Sequence, residues 1–315
     1  MKFKYKDKEY YINYKLAQQL DSFVYNLKDD WDFVIVITGD RMVRVGKSIL
    51  AQIVAVYLAA RILEYLKVDI NYDLKDIYFD SETMSSEAQK KQKYSINIYD
   101  EGREGLASNK AMTTVSKDII DFFNECGQLN HIMIVVLPDF FGLNEEIAVA
   151  RSECLINVYR KSEKKLVDMY KTGEKIPIVK FKRGQFEFFS RYNKSALYDK
   201  FKKGRRKYYG MQKHDFVGDF TNQYTVDEEG YRKKKADALS RFKQKNNVEK
   251  KSKSDIIRDK EIMKLHKQGL IGEKISEALK KEYDFSISKA TVNKIIARTK
   301  AKEEAKFENF DISET

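Results

Sequence analysis

Gly46-Lys47-Ser48 and Asp100-Glu101 are the two places in this 315-residue chain where residue type and spacing could do chemistry. A Lys at the first turn of a helix reaches the terminal phosphates of a nucleotide, and the hydroxyl beside it ligates Mg²⁺. An Asp that ends an apolar strand holds the Mg²⁺ shell, and a neighbouring Glu orients the attacking water. The pair points to nucleotide hydrolysis with ATP and Mg²⁺. Lys47 and Glu101 are the catalytic candidates, and Ser48 and Asp100 the metal ligands.

Positioning these groups demands particular elements. Val34 to Thr38 is an apolar, β-branched run, and Ile49, Leu50, Ile53, Val54, Val56 and Tyr57 recur at helical spacing. Between them the turn must present backbone N–H groups to a polyphosphate at the positive end of the helix. The candidate nucleotide-binding residues are Gly39, Asp40, Arg41, Arg44, Val45, Gly46, Lys47, Ser48 and Ile49. In the pattern G-x-x-x-x-G-K-[ST] the first Gly falls on position 41, where this chain has Arg41, with Gly39 two residues earlier. Either the loop is longer, or Arg41 takes a backbone conformation that usually wants Gly. The competing possibility is a Gly-Lys-Ser that merely caps a buried helix.

Tyr94 to Glu101 (YSINIYDE) is a largely apolar strand whose acidic end lies 53 residues after Lys47. Asp76 to Asp80 forms a strand between the two motifs, and Ser81 to Lys93 a polar helix capped by its Ser/Glu start. Gly102 to Thr114 is a loop of small and polar residues, followed by a helix Val115 to Cys126. His131 to Leu137 is an unbroken apolar run closed by Pro138, as a central parallel strand requires. A helix Asn144 to Arg151 and a strand Cys154 to Tyr159 continue the alternation. The expected fold is α/β, a doubly wound, mostly parallel sheet with a P-loop NTPase core, joined to a small all-α trihelical domain.

This order resembles the additional-strand, catalytic-glutamate branch of P-loop ATPases. Within it the chain is most similar to the FtsK/HerA DNA-pumping group and the zonular-occludens-toxin-like phage ATPases, through the run GQLNHIMIVVLPDFFGLNEEIAVARSECLINVY. Large-terminase ATPases, which also carry Arg in the phosphate loop, are close competitors, and Arg41 or Arg44 fits that habit. The likeness covers about Asp32 to Arg160. Pro138 stands where many relatives place a Gln or Thr sensor. The resemblance implies a homo-oligomeric ring in which an arginine of one copy reaches the neighbour's γ-phosphate; Arg151 is the candidate, with Arg103 beside it. For either, the plain alternative is a surface salt bridge.

The chain carries 60 Lys/Arg against 48 Asp/Glu, a formal net charge of +12. That balance favours an anionic partner, with DNA the first expectation. Ten of the cations against two acids fall between Tyr231 and Lys253, a basic helix or tether that would bind phosphate without sequence preference. Lys200 to Tyr209 mixes cations with aromatics, which suits base stacking or tyrosines packed back on the domain. Gln185 to Tyr192 is expected to form a hairpin with Ile178 to Lys182 across Arg183-Gly184. Cys126 and Cys154 lack metal or disulfide spacing. No apolar run approaches the ~18 residues of a membrane span, so the expected setting is cytoplasmic.

Three short helices follow Asp255, with Gly269 ending the first and Ser288 capping the third, a pattern that resembles the resolvase-type helix-turn-helix. It implies that Lys289, Thr291, Asn293 and Lys294 face DNA; a protein-binding three-helix bundle is the alternative. The domain reading is 1–195 ATPase, 196–253 basic extension, 254–300 helix-turn-helix and 301–315 acidic tail. Three functions fit: a DNA-translocating or packaging motor of a phage or mobile element, an ATP-controlled DNA-binding switch with slow turnover, or a protein with a dead nucleotide site.

Overall fold

The computed structural model describes residues 1–39, 45–100, 123, 126–168, 175–249, 253–283 and 286–299. Asp40, Arg41, Arg44, Glu101 and Arg103 lie outside these, as do the expected loop 102–114 and, apart from Phe123 and Cys126, the helix after it. Two compact units divide the chain between Ala238 and Leu239.

The first unit opens with the hairpin β1 (Lys2–Tyr5) and β2 (Lys8–Tyr11), then α1 (Tyr14–Leu27). Asn13 caps α1, accepting from the N–H groups of Lys15 and Leu16. β3 (Phe33–Gly39) leads into α2 (Lys47–Leu66), and β4 (Ile77–Tyr78) into α3 (Ser81–Ala88). The side chain that caps α3 is Asp80, which accepts from Thr83 N–H at 2.7 Å. β5 (Ile96–Asp100) and β6 (Ile132–Val136) follow, then a π-helical turn Glu146–Arg151 where a regular helix was expected.

The sheet runs β4-β5-β6-β3 and continues through β7 (Ser152–Asp168), β8 (Lys175–Phe189) and β9 (Phe216–Asp219). From β4 to β7 all pairings are parallel, and β8 and β9 add antiparallel strands. The sheet is therefore mostly parallel, in an α/β unit compatible with a P-loop NTPase core. β3, β5 and β6 are buried at every position because helices cover both faces. Ile35 and Ile37 of β3 face the cluster built with α1 and α2. Val34 and Val36 face the opposite cluster, with Met84, Phe140, Phe141 and Leu197.

Three expectations are corrected. No hairpin turns at Arg183-Gly184: residues 175–189 are one strand, paired with β7 on one side and β9 on the other. Gly184 instead sits beside a register shift, with φ +82°, and a Cβ there would meet the Phe220 carbonyl oxygen at 2.5 Å. The expected strand 154–159 extends to Asp168. Finally, α2 is by length and composition apolar enough to cross a membrane. Its residues 49–59 are buried in the core, which explains why it is apolar all round.

Residues 196–238, assigned above to a basic extension, lie within the first unit. α4 (Arg191–Gly204) buries Leu197 and Tyr198, and Lys194 is fully buried. Its ammonium donates to the carbonyls of Ala148, Val149 and Ser152 and to Ser152 Oγ at 2.7–3.0 Å, satisfying the end of the π-helical turn. α5 (Glu228–Glu249) crosses the division. In the second unit α6 (Lys253–Lys267), α7 (Gly272–Tyr283) and α8 (289–299) surround a small core of Ile262, Ile275, Leu279, Val292 and Ile296.

Candidate functional site

β6 lies between β3 and β5, so the strand that leads to Gly46-Lys47-Ser48 and the strand that ends at Asp100 are one strand apart and run in the same direction. Their C-terminal ends open on one edge of the sheet, where ligands of open α/β folds bind. Gly46 caps α2 with φ 104°. A Cβ at Gly46 would meet the Phe220 ring at 3.1 Å, so both the backbone and the space require glycine here. A Cβ at Gly39 would lie 3.3 Å from Lys47 Cδ and from Val45 Cγ2. The Lys47 stem thus crosses the end of β3, in close contact with its last residue.

Tyr209 steadies that strand end: its hydroxyl donates to Thr38 Oγ1 at 3.1 Å or to the Gly39 carbonyl at 3.2 Å, and accepts from Phe140 N–H. Of the two roles open to the Lys200–Tyr209 segment, Tyr209 takes the packed-back one, whereas Tyr208 is exposed.

Asp100 is almost fully buried, and its carboxylate has partners that nothing in the motif pattern announces. Tyr231 Oη donates to Asp100 Oδ2 at 2.5 Å, and Lys235 Nζ stands 3.5 Å from the same oxygen and from the Tyr231 hydroxyl. Burial first, and the Asp100 charge second, push the Tyr231 phenol far above its usual range, so it is a hydroxyl at every physiological pH. The Ser48 side chain lies near enough to the Tyr231 hydroxyl to oppose that shift slightly. Asp227 sets this geometry by accepting from Gly230 N–H at the start of α5. Tyr231 and Lys235, four residues apart, then share one helix face. Thr225 ties the approach to α2 through Gln52.

Ser48 and Asp100 are therefore both neighbours of the Tyr231 hydroxyl, and a cation already lies against the carboxylate. That spacing and donor chemistry fit a hydrated Mg²⁺, which takes one or two protein oxygens and fills its remaining positions with water and phosphate. The residues present fit a magnesium nucleotide.

Arg151 is not brought to this edge. It starts the turn into β7, where Ser152 pairs with Val34 near the opposite end of β3. There it is ion-paired to Asp32 and donates from Nε to the Phe123 carbonyl at 3.1 Å. The ion pair with Asp32 is the contact Arg151 makes within its own chain. In the second unit Lys289, Thr291, Asn293 and Lys294 are all exposed on α8. Lys289 pairs with Glu273 at 3.1 Å, and the Asn293 side chain fills the space a Cβ at Gly272 would need. Both residues line a cleft of about 580 Å³ with His266, Gly269 and Ile296. Ser288 caps the helix, as expected, through Thr291 N–H.

Sequence spacing missed Tyr231 and Lys235. The only available signal was an aromatic residue heading a basic helix; its partner Asp100 lies 131 residues earlier. No family model and no curated protein matches the chain. Among solved structures, the N-terminal domain of zonular occludens toxin from Neisseria meningitidis is similar to 64% of this chain and 98% of that one, at 13% identity and a TM-score of 0.34. Nothing below rests on that likeness.

Proposed function

We propose that this chain is a magnesium-dependent ATP hydrolase that acts on DNA, as a translocating or packaging motor of a phage or mobile element working as a ring of like subunits. The observation that carries the hydrolase is that the strand leading to Lys47 and Ser48 and the strand ending at the buried Asp100 are parallel and separated only by β6. Lys47 contacts the terminal phosphates, Ser48 and Asp100 hold the metal shell, and Glu101, next in the chain, orients the attacking water. A magnesium ion held there by Ser48 and Asp100 would supply charge screening for the transferred phosphoryl group. The Tyr231 hydroxyl and the Lys235 ammonium both contact Oδ2 of Asp100, so a magnesium shell on this carboxylate would share or compete with them.

DNA is assigned on charge and on the helices of the second unit, where Lys289, Thr291, Asn293 and Lys294 would contact it. One observation favours the slower reading, an ATP-controlled DNA-binding switch: a tyrosine and a lysine of the same chain already hold the metal carboxylate. ATP turnover of the wild type and of Glu101→Gln, with and without duplex DNA, separates the two. Stimulation by DNA of any sequence, abolished by Glu101→Gln, is expected of a motor. Slow turnover indifferent to DNA supports the switch, and absence of turnover in both proteins overturns the hydrolase.

A further inference from the structure

Among the described residues, β7 beyond Val158 has no partner but β8, and β8 beyond Gln185 toward its start has none but β7. Residues 160–168 and 175–183 are thus a two-stranded ribbon that continues past the sheet. They hold eight Lys/Arg against two acids. The register sorts them by face, because directly opposed residues share a face and alternate along the strand. One face carries the pairs Lys161/Lys182, Glu163/Lys180, Lys165/Ile178 and Val167/Ile176. Its stem is cationic and its distal part apolar, with Val167, Ile176 and Ile178 each about 40% exposed.

Two features say that this face is made for a partner. Like charges directly opposed, as at Lys161 and Lys182, destabilise a strand pair. Glu163 stands opposite Lys180, whereas Lys161, Lys165 and Lys182 face no acid across the strand pair, and all four lysines are exposed. The Gly184 register shift at the root, held by Phe220 N–H on the Gly184 carbonyl at 2.9 Å, re-aims the ribbon where it leaves the sheet. A row of fixed cations ending in apolar side chains complements a polyanion with exposed apolar edges.

We propose that this ribbon is a duplex-DNA contact, with Lys161, Lys180, Lys182 and Lys165 on phosphates and Val167, Ile176 and Ile178 against base edges or steps. The scale fits: a two-stranded ribbon enters the major groove, and eight paired residues span roughly 25 Å. Apolar side chains at the end of a cationic arm are also what minor-groove binders press between base steps. This inference rests on the DNA-handling reading above and names a surface for it outside the three-helix unit.

The test is binding of a labelled 30-bp duplex of arbitrary sequence by the full chain across a salt series. Three proteins are compared: wild type, the triple variant Lys161→Gln, Lys180→Gln, Lys182→Gln, and the pair Ile176→Ser, Ile178→Ser. All five side chains are exposed, and an unchanged melting temperature confirms folding. Loss of three phosphate contacts is expected to lower the slope of log affinity against log salt by about 2–3 and weaken binding tenfold or more near physiological salt. The serine pair is expected to weaken binding severalfold with the slope unchanged. If wild type and triple variant bind alike, the ribbon assignment falls and the DNA reading stands. If the wild type binds no duplex, both fall. If the variants instead lose binding to anionic lipid vesicles or change the sedimentation of the protein alone, the ribbon serves a membrane or a second copy, and the proposal is overturned.

Discussion

At the scale of single residues, the contest at Asp100 is the feature with most consequence. Tyr231→Phe removes the hydroxyl that donates to Asp100 while keeping the ring that packs on Phe79 and Tyr224. Without nucleotide it should lower stability by about 1.5–3 kcal/mol, as expected for a hydrogen bond to a charged group. It should also tighten Mg²⁺-ATP binding, because one competitor for the carboxylate is gone. Urea unfolding and calorimetric titration check the two effects; weaker ATP binding would instead make Tyr231 part of the nucleotide's own shell. Lys194 gives a pH signature. Burial pulls its ammonium from 10.5 to about 8. Between those values the unfolded chain holds the proton more tightly, so stability rises with pH; below 8 both states are protonated and burial of the charge weighs fully. Relative to Lys194→Met, the wild type should gain about 2 kcal/mol between pH 8 and pH 10 in urea titrations. Lys47, Ser48 and Asp100 were legible in the sequence because motif chemistry fixes residue types at short spacing. Tyr231 and Lys235 were not, since a basic helix reads as solvated until tertiary structure lays it on a buried carboxylate.

At the scale of elements, unbroken apolar runs such as Ile132–Val136 revealed the central strands, because burial on both faces leaves no room for alternation. The same logic hid the ribbon. Residues 160–165 are an unbroken run of Arg, Lys, Ser and Glu with no apolar period, and Arg183-Gly184 carries the composition of a turn although it lies within a strand. Gly184→Ala tests the local cause. A left-handed φ and the Phe220 carbonyl at 2.5 Å should together cost at least about 1–2 kcal/mol. The expected result is a lower urea midpoint with an unchanged slope. An unchanged midpoint would show that β8 can relax away from Phe220.

At the scale of the whole molecule, the two compact units should unfold separately. Among the described residues the second has five buried apolar residues and is the weaker. Ile275→Ala is expected to cost about 2–5 kcal/mol and to move only the earlier of two calorimetric transitions; a single transition moving as one would contradict that division. The net charge of +12 was legible as an attraction to anions, but not as a division of cations among the ribbon, α5 and α8, since that depends on which surfaces folding exposes. Everything proposed here depends on the edge of the sheet where β3 and β5 end. The most direct measurement is Mg²⁺-dependent ATP affinity of the wild type beside Lys47→Ala and Asp100→Asn. Binding by the wild type, weakened at least tenfold by Lys47→Ala and no longer dependent on Mg²⁺ in Asp100→Asn, is the predicted result. Equal affinity in all three folded proteins, or none in any, would contradict it.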